Sequence, residues 1–172
     1  MTDLRQALGQ HVPADDVEAH HRGRMLKLLN TPAPLFRGQF TPGHFTASAF
    51  VVHGDSVLLI WHAKLLRWLQ PGGHVDETDA DLAATAAREL HEEAGIVASA
   101  DRLLDLDVHA IPANPKKNEP AHEHFDVRYL FHVDDPTAVA GDDALDVKWV
   151  PIADVSLEQT DESVMRAVRK LR

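Results

Sequence analysis

The chain contains no cysteine, which excludes disulfide staples, thiolate zinc sites and a cysteine nucleophile. Basic residues are scarce as well: 17 Lys and Arg stand against 27 Asp and Glu, a formal net charge of -10. That balance argues against general nucleic-acid binding, because phosphate contacts need clustered cations. A phosphorylated small molecule can still bind an acidic protein where metal ions neutralise the site locally. No apolar run approaches the ~18–20 residues that span a membrane, and the N-terminus lacks a basic stretch leading into an apolar one. No membrane partner is expected, and the expected location is the cytoplasm. Internal repeats and low-complexity tracts are also missing, and at 172 residues one domain with one substantial core is the default.

What is present is concentrated in residues 88 to 96, Arg-Glu-Leu-His-Glu-Glu-Ala-Gly-Ile, which follow a Pro71-Gly72-Gly73 turn. Glu89, Glu92 and Glu93 stand at i, i+3 and i+4, so a helix projects their carboxylates from one face. Such like-charge pairs cost roughly 0.2–0.5 kcal/mol each, and a divalent cation reverses the sign. The helix itself is well marked. Thr78, Asp79 and Asp81 supply caps and early acidic charge, residues 82 to 94 hold no Gly, Pro or Val, and Gly95 stands where a left-handed C-terminal residue belongs. Ala83, Ala86, Ala87, Leu90 and Ala94 form a small-residue face suited to close approach of a sheet. Hard carboxylate oxygens suit magnesium or manganese, shared with the Pro-Gly-Gly loop.

Residues Arg88 to Ile96 match at every specified position the second half of the Nudix box, R-E-U-x-E-E-x-G-U, where U is a bulky aliphatic residue. The chain thus resembles the Nudix hydrolase family. The front half departs from the pattern. Counting from Gly73, the sixth residue is Asp79 in place of Glu, and eight residues instead of seven separate it from Arg88. The early Glu of the family commonly pairs with the box Arg, so Asp79 is the expected partner of Arg88, with Glu77 as substitute. The resemblance implies a Mg2+- or Mn2+-dependent hydrolase that cleaves the diphosphate linkage of a nucleoside diphosphate joined to another moiety. Glu89, Glu92, Glu93 and the carbonyl of Gly72 or Gly73 would hold the metal. Glu92 would serve first as general base, with Glu93 and Arg88 the other catalytic candidates. The implied partner is a small nucleoside diphosphate derivative, and a homodimer is allowed. The alternative is a Nudix-like domain that binds a nucleotide without cleaving it.

The remaining elements are compatible with that fold. Helices are expected near Leu4 to Gln10 and Pro13 to Leu29, the second with Pro at its start and Asp15 and Asp16 early. Residues 1–43 then read as a helical N-terminal extension packed on a domain of residues 44–172. Strands are expected at Phe45 to His53 and Ser56 to His62, flanking a Gly54-Asp55 hairpin turn, with a short strand at Arg67 to Gln70. Further strands fall near Leu103 to Ile111, His122 to Val133 and Asp146 to Val150, and a last helix near Asp161 to Leu171 carries Val164, Val168 and Leu171 on one stripe. Strands interrupted by one long helix and closed by another fit an α/β class, a mixed sheet between helices. The Nudix α/β/α sandwich has that arrangement.

Period-2 alternation divides residues 122 to 133 into two faces. Phe125, Val127, Tyr129 and Phe131 belong to the core, with Glu123; His122, His124, Asp126, Arg128 and Leu130 form the other face. With helices on both sides of the sheet, those polar residues are expected to line a cleft. They could meet substrate, bind a metal or hold one another by hydrogen bonds. His74, next to Gly73, could point the same way, and Arg67 precedes the turn. Substrate-binding candidates are therefore Arg67, His74, His122, His124, Asp126 and Arg128. Lys64, Lys116 and Lys117 are further cations for a terminal phosphate, Trp68 and Phe125 could stack on a base, and Glu119 and Glu123 are loop carboxylates that could add a base.

Overall fold

A computed structural model describes the whole chain except Met1, Lys64, Asp142 and Asp143, so the cation expected at Lys64 lies outside the described residues. Helices α1 (Thr2–Gln10) and α2 (Asp16–Leu28) lead into strands β1 (Gly43–His53), β2 (Ser56–His62), β3 (Arg67–Leu69) and β4 (Gly72–His74). Then come α3 (Leu82–Ala94), β5 (Arg102–Ile111), β6 (His122–His132), β7 (Ala144–Pro151) and α4 (Glu162–Arg169). Asp15 caps α2 by accepting from the Glu18 amide at 2.8 Å, so the helix starts after Pro13 and not on it.

All seven strands share one mixed sheet, ordered β3-β2-β1-β6-β5, with β4 beside β1 and β7 beside β2. The β1–β6 pair is parallel and the others are antiparallel. The β1–β2 hairpin turns at Gly54, with φ of 55°, and the two strands separate after Val52↔Val57. Into the space that β2 leaves along β1 comes β4, pairing Thr46↔His74 and Ser48↔Gly72. A three-residue strand with two glycines carries no alternating signal, so this placement is a finding of the tertiary structure.

Helices cover both faces. One core gathers Leu8, Met25 and Leu28 of α1 and α2 with Leu82, Ala86, Leu90 and Ala94 of α3, over Phe45, Ala47, Val51, Phe125, Val127 and Phe131 of the sheet. Ala83, expected on the apolar face of α3, is only half-buried, and Leu82 takes its place. The second core sets Val164, Met165, Ala167 and Val168 of α4 against Phe50, Leu59, Leu104 and Leu130. The result is the expected α/β/α sandwich.

The free edge of β5 is sealed by side chains. Glu18 of α2 is fully buried and accepts the Leu106 amide at 3.1 Å, while Lys170, just after α4, donates to the Leu104 carbonyl at 2.9 Å and to Glu18 at 2.6 Å. Exposed strand edges template unwanted pairing, and charged side chains aimed at the backbone remove that option.

Candidate active site

Helix α3 is built for its position. Asp81 caps it by accepting the Ala84 amide at 2.8 Å, and Gly95 ends it at φ 70°, in the left-handed region that costs glycine no steric strain. Two of its last carbonyls are satisfied by the segment between β6 and β7: Val139 donates to Ala94 at 2.9 Å and Gly141 to Glu93 at 3.0 Å. Ala86, Leu90 and Ala94 bury one face of α3, and Glu89, Glu92 and Glu93 emerge beside it, next to β4.

The carboxylates differ in environment. Glu93 is 8% exposed and accepts the Gly72 amide at 2.9 Å, tying helix to loop. Glu89 lies against Gly73 so closely that a Cβ there would meet its carboxylate at 2.5–2.7 Å. Burial pushes the Glu89 carboxyl above its ordinary value, against the pull of Arg88. The Glu92 side chain is 54% exposed and is held by Arg88 Nη1 at 3.0 Å.

Arg88 organises this corner. Its Nε and Nη2 form a fork on Asp79 at 3.0 Å each, Nη2 also donates to the His74 carbonyl at 2.8 Å, and Nη1 reaches Glu89 at 2.9 Å. The Asp79 fork, its hydrogen bonds outweighing burial, holds the guanidinium well above its usual range. Asp79 thus pairs with Arg88 across the inserted residue, as the sequence led us to expect. Glu89 and Glu92 on Arg88, with Glu93 on the Gly72 amide and Glu89 against Gly73, form a carboxylate donor set that fits a hard divalent cation.

The polar face of β6 divides in two. Asp126 and Arg128 are each 2% exposed and bond to one another at 2.9 Å. Ser48 donates to Asp126 at 2.8 Å, and Arg128 reaches Asp105 of β5 at 3.2 Å and the Ser163 carbonyl of α4 at 2.9 Å. They belong to a buried ion network under α4 instead of an open cleft wall. Nearer the start of the strand, His122 and His124 meet His44 of β1, since His44↔His124 is a parallel register pair. His74 of β4 joins them, its ring 5.2 Å from His44 and 4.9 Å from His124. Burial, with neighbouring cations and histidines, pushes His74 down to about 4 and His124 to about 2. These imidazoles are neutral at physiological pH.

Other candidates stand elsewhere. Arg67 is near Asp161 at 3.5 Å, in a hollow it shares with Trp61, Trp68 and Gln159. Phe125 is in the core, Glu123 pairs with Arg24, and Glu119 is 3.8 Å from Arg37. Lys116 and Lys117 are exposed on a 3-10 turn at Pro115–Lys117. Two residues at this end of the sheet carry no signal in the sequence: His44, which falls just outside the strand as periodicity bounds it, and Arg37, whose charge acts on both His44 and His74.

The family model described as the NUDIX domain matches residues 42–170. The chain is a member of the Nudix hydrolase family. A relative from Lactococcus lactis subsp. cremoris (strain MG1363), named "Probable DHNTP pyrophosphohydrolase", is 36% identical over 117 residues, 67% of this chain and 70% of that protein. The Escherichia coli dihydroneopterin triphosphate pyrophosphohydrolase structure has the same fold, at a TM-score of 0.61 and 14% identity over 73% of this chain and 92% of that one. The NUDIX domain of Shewanella oneidensis NrtR, solved in complex with ADP ribose, aligns at a TM-score of 0.55 and 25% identity over 84% and 94%. Among the described residues of this Nudix chain, no helix is long and apolar enough to cross a membrane.

Proposed function

We propose that the protein is a Mg2+- or Mn2+-dependent pyrophosphohydrolase that cleaves a phosphoric anhydride bond in a small nucleoside diphosphate derivative. The observation that carries this reading is the set of box glutamates at one end of α3, with Glu93 on the Gly72 amide, Glu89 against Gly73, and Arg88 holding Glu89 and Glu92. The similarity to a protein named for DHNTP makes dihydroneopterin triphosphate, a pterin and not a nucleoside phosphate, a substrate to test beside the nucleoside diphosphate derivatives.

Glu89, Glu92, Glu93 and the Gly73 carbonyl would hold the metal, which when bound supplies shielding of phosphate charge and acidification of water. The chain's own groups do the rest. Glu93 clamps the glycine strand through the Gly72 amide and keeps the loop against α3. Arg88 is a positioning residue, fixing Glu89 and Glu92 relative to the His74 carbonyl. Glu92, the exposed carboxylate of the three, takes the proton as water oxygen bonds to phosphorus and the anhydride P–O bond breaks. The His74, His122 and His124 end of the sheet adjoins the site through Gly73, and Arg37 and Lys117 bring cations for a terminal phosphate.

Purified protein should release products from dihydroneopterin triphosphate or another diphosphate compound in a panel assayed with Mg2+ or Mn2+. Glu92→Gln and Glu93→Gln should each lower turnover by about a hundredfold or more, with circular dichroism unchanged. Full activity in both variants would reject the site. Tight nucleotide binding with no product from any compound would instead favour a domain that binds without cleaving, a reading made less favourable by the presence of all three box glutamates.

A further inference from the structure

We propose that His44, His122 and His124 form a second metal site, selective for a zinc-class divalent cation and separate from the box carboxylates. Each offers one ring nitrogen, and these nitrogens lie within 4.8 Å of one another. The parallel pairing of β1 with β6 sets His44 beside His124, and the two-residue step along β6 brings His122 to the same face.

The hydrogen bonds select the nitrogens that face the cluster. His44 Nδ1 is 3.1 Å from the Gln39 carbonyl, and His122 Nδ1 is 2.8 Å from the Pro120 carbonyl. A carbonyl oxygen only accepts, so each Nδ1 carries a proton, and in the neutral ring Nε2 is then the nitrogen with a lone pair for a cation. A metal-bound imidazole usually donates its other ring N–H to such a carbonyl, which orients the ring and raises its basicity. His44 is 1% exposed, and the Nε2 atoms of His44 and His124 are buried without a hydrogen-bond partner. Buried polar atoms left unpaired are uncommon and costly. One cation would satisfy both of these together with His122.

Ligand chemistry separates this site from the box. Neutral imidazole nitrogens suit zinc and its neighbours, whereas carboxylate and carbonyl oxygens suit magnesium and manganese. Three protein ligands leave a fourth tetrahedral position, and the His74 ring packs edge-on against His124 at 4.9 Å, close enough to share it. Because His74 follows Gly73, a cation here would stand beside the box without using its carboxylates.

The test needs no turnover. Chelator-stripped full-length protein is titrated with Zn2+ by calorimetry and with Co2+ by visible absorption, where nitrogen-ligated tetrahedral cobalt gives an intense band. One equivalent should bind with that band. His122→Gln and His124→Gln should each weaken Zn2+ binding by more than about tenfold, since losing even a hydrogen-bond partner of a ligand costs that much. The box double variant Glu89→Gln/Glu93→Gln should keep the Zn2+ site while losing Mn2+ binding. His44 is the most enclosed ring, so the two β6 variants, verified as folded by circular dichroism, decide the result. The absence of stoichiometric Zn2+ binding by the parent, unchanged affinity in both β6 variants, or loss of Zn2+ binding only in the box variant would overturn the proposal.

Discussion

Gly72 and Gly73 are adjacent, yet a methyl group would act differently at each. At Gly73 the added Cβ meets the end of the Glu89 side chain at 2.5–2.7 Å, and that end can swing away. At Gly72 it meets Ser48 Oγ and, at 2.7 Å and 2.8 Å, the β1 backbone, which cannot. Gly73→Ala should therefore keep its melting temperature and lose roughly a hundredfold in turnover, since a misplacement of about 1 Å is enough for that. Gly72→Ala should lose about 1–3 kcal/mol of stability, the usual cost of overpacking. Thermal melts beside turnover assays separate the two, and equal loss of stability in both would remove the distinction. The chemistry-bearing glutamates were legible from the sequence because i, i+3, i+4 spacing is local. The role of Glu93 as a loop clamp was not, because its partner Gly72 is reached only through tertiary packing.

At the scale of elements, the free edge of β5 depends on Glu18, which is also bonded to His11 at 2.6 Å and to the Ala14 amide at 2.6 Å. Burial by itself would raise this carboxyl, but hydrogen bonds from His11, Lys170 and Ala14 outweigh it and lower it from 4.5 to about 2. A depressed carboxyl contributes stability that is complete above pH 4.5 and is lost as pH falls toward about 2. Glu18→Gln should cost about 3 kcal/mol at neutral pH, as expected when one partner of a buried ion pair is removed. The gap between parent and variant should then narrow as pH drops from about 5 to about 3. Urea unfolding at those pH values measures it, and a gap that stays constant would rule out the linkage. The sequence marked Asp15 and Asp16 as the early acidic charge of α2 and gave no sign of Glu18, whose closing of a strand edge depends on the contact of α2 with β5.

Over the whole molecule, the layers are joined by a buried network on the α4 side. Arg166 of α4 donates to Asp105 at 2.7 Å and to Asp107 at 3.0 Å, Arg128 joins both to Asp126, and Lys170 lies 2.7 Å from Asp105. Three acids face three bases. Burial works against the Asp107 charge, and Arg128 with its neighbours overcomes it, holding the carboxyl well below its usual range. Arg166→Ala leaves carboxylates buried without their partner and should cost about 3–5 kcal/mol in denaturant unfolding. A loss below about 1 kcal/mol would mean the pair behaves as if solvent-exposed.

The α/β class, the box helix with its caps, the Asp79–Arg88 pair and the alternation of β6 were determined by the sequence itself. The helix, its caps and the alternation depend on residues a few positions apart, the Asp79–Arg88 pair on the motif, and the class on the order of elements. Tertiary structure alone decided that β6 carries a histidine cluster at one end and an ion network further along, because the first is completed by His44 of β1 and the second by Asp105 and by Arg166 of α4. Those partners are brought together by parallel pairing and by the docking of α4 on the sheet, and no local period records a register between segments so far apart in the chain. The Arg88 to Ile96 segment announced the carboxylates; the sheet beside it chose their neighbours.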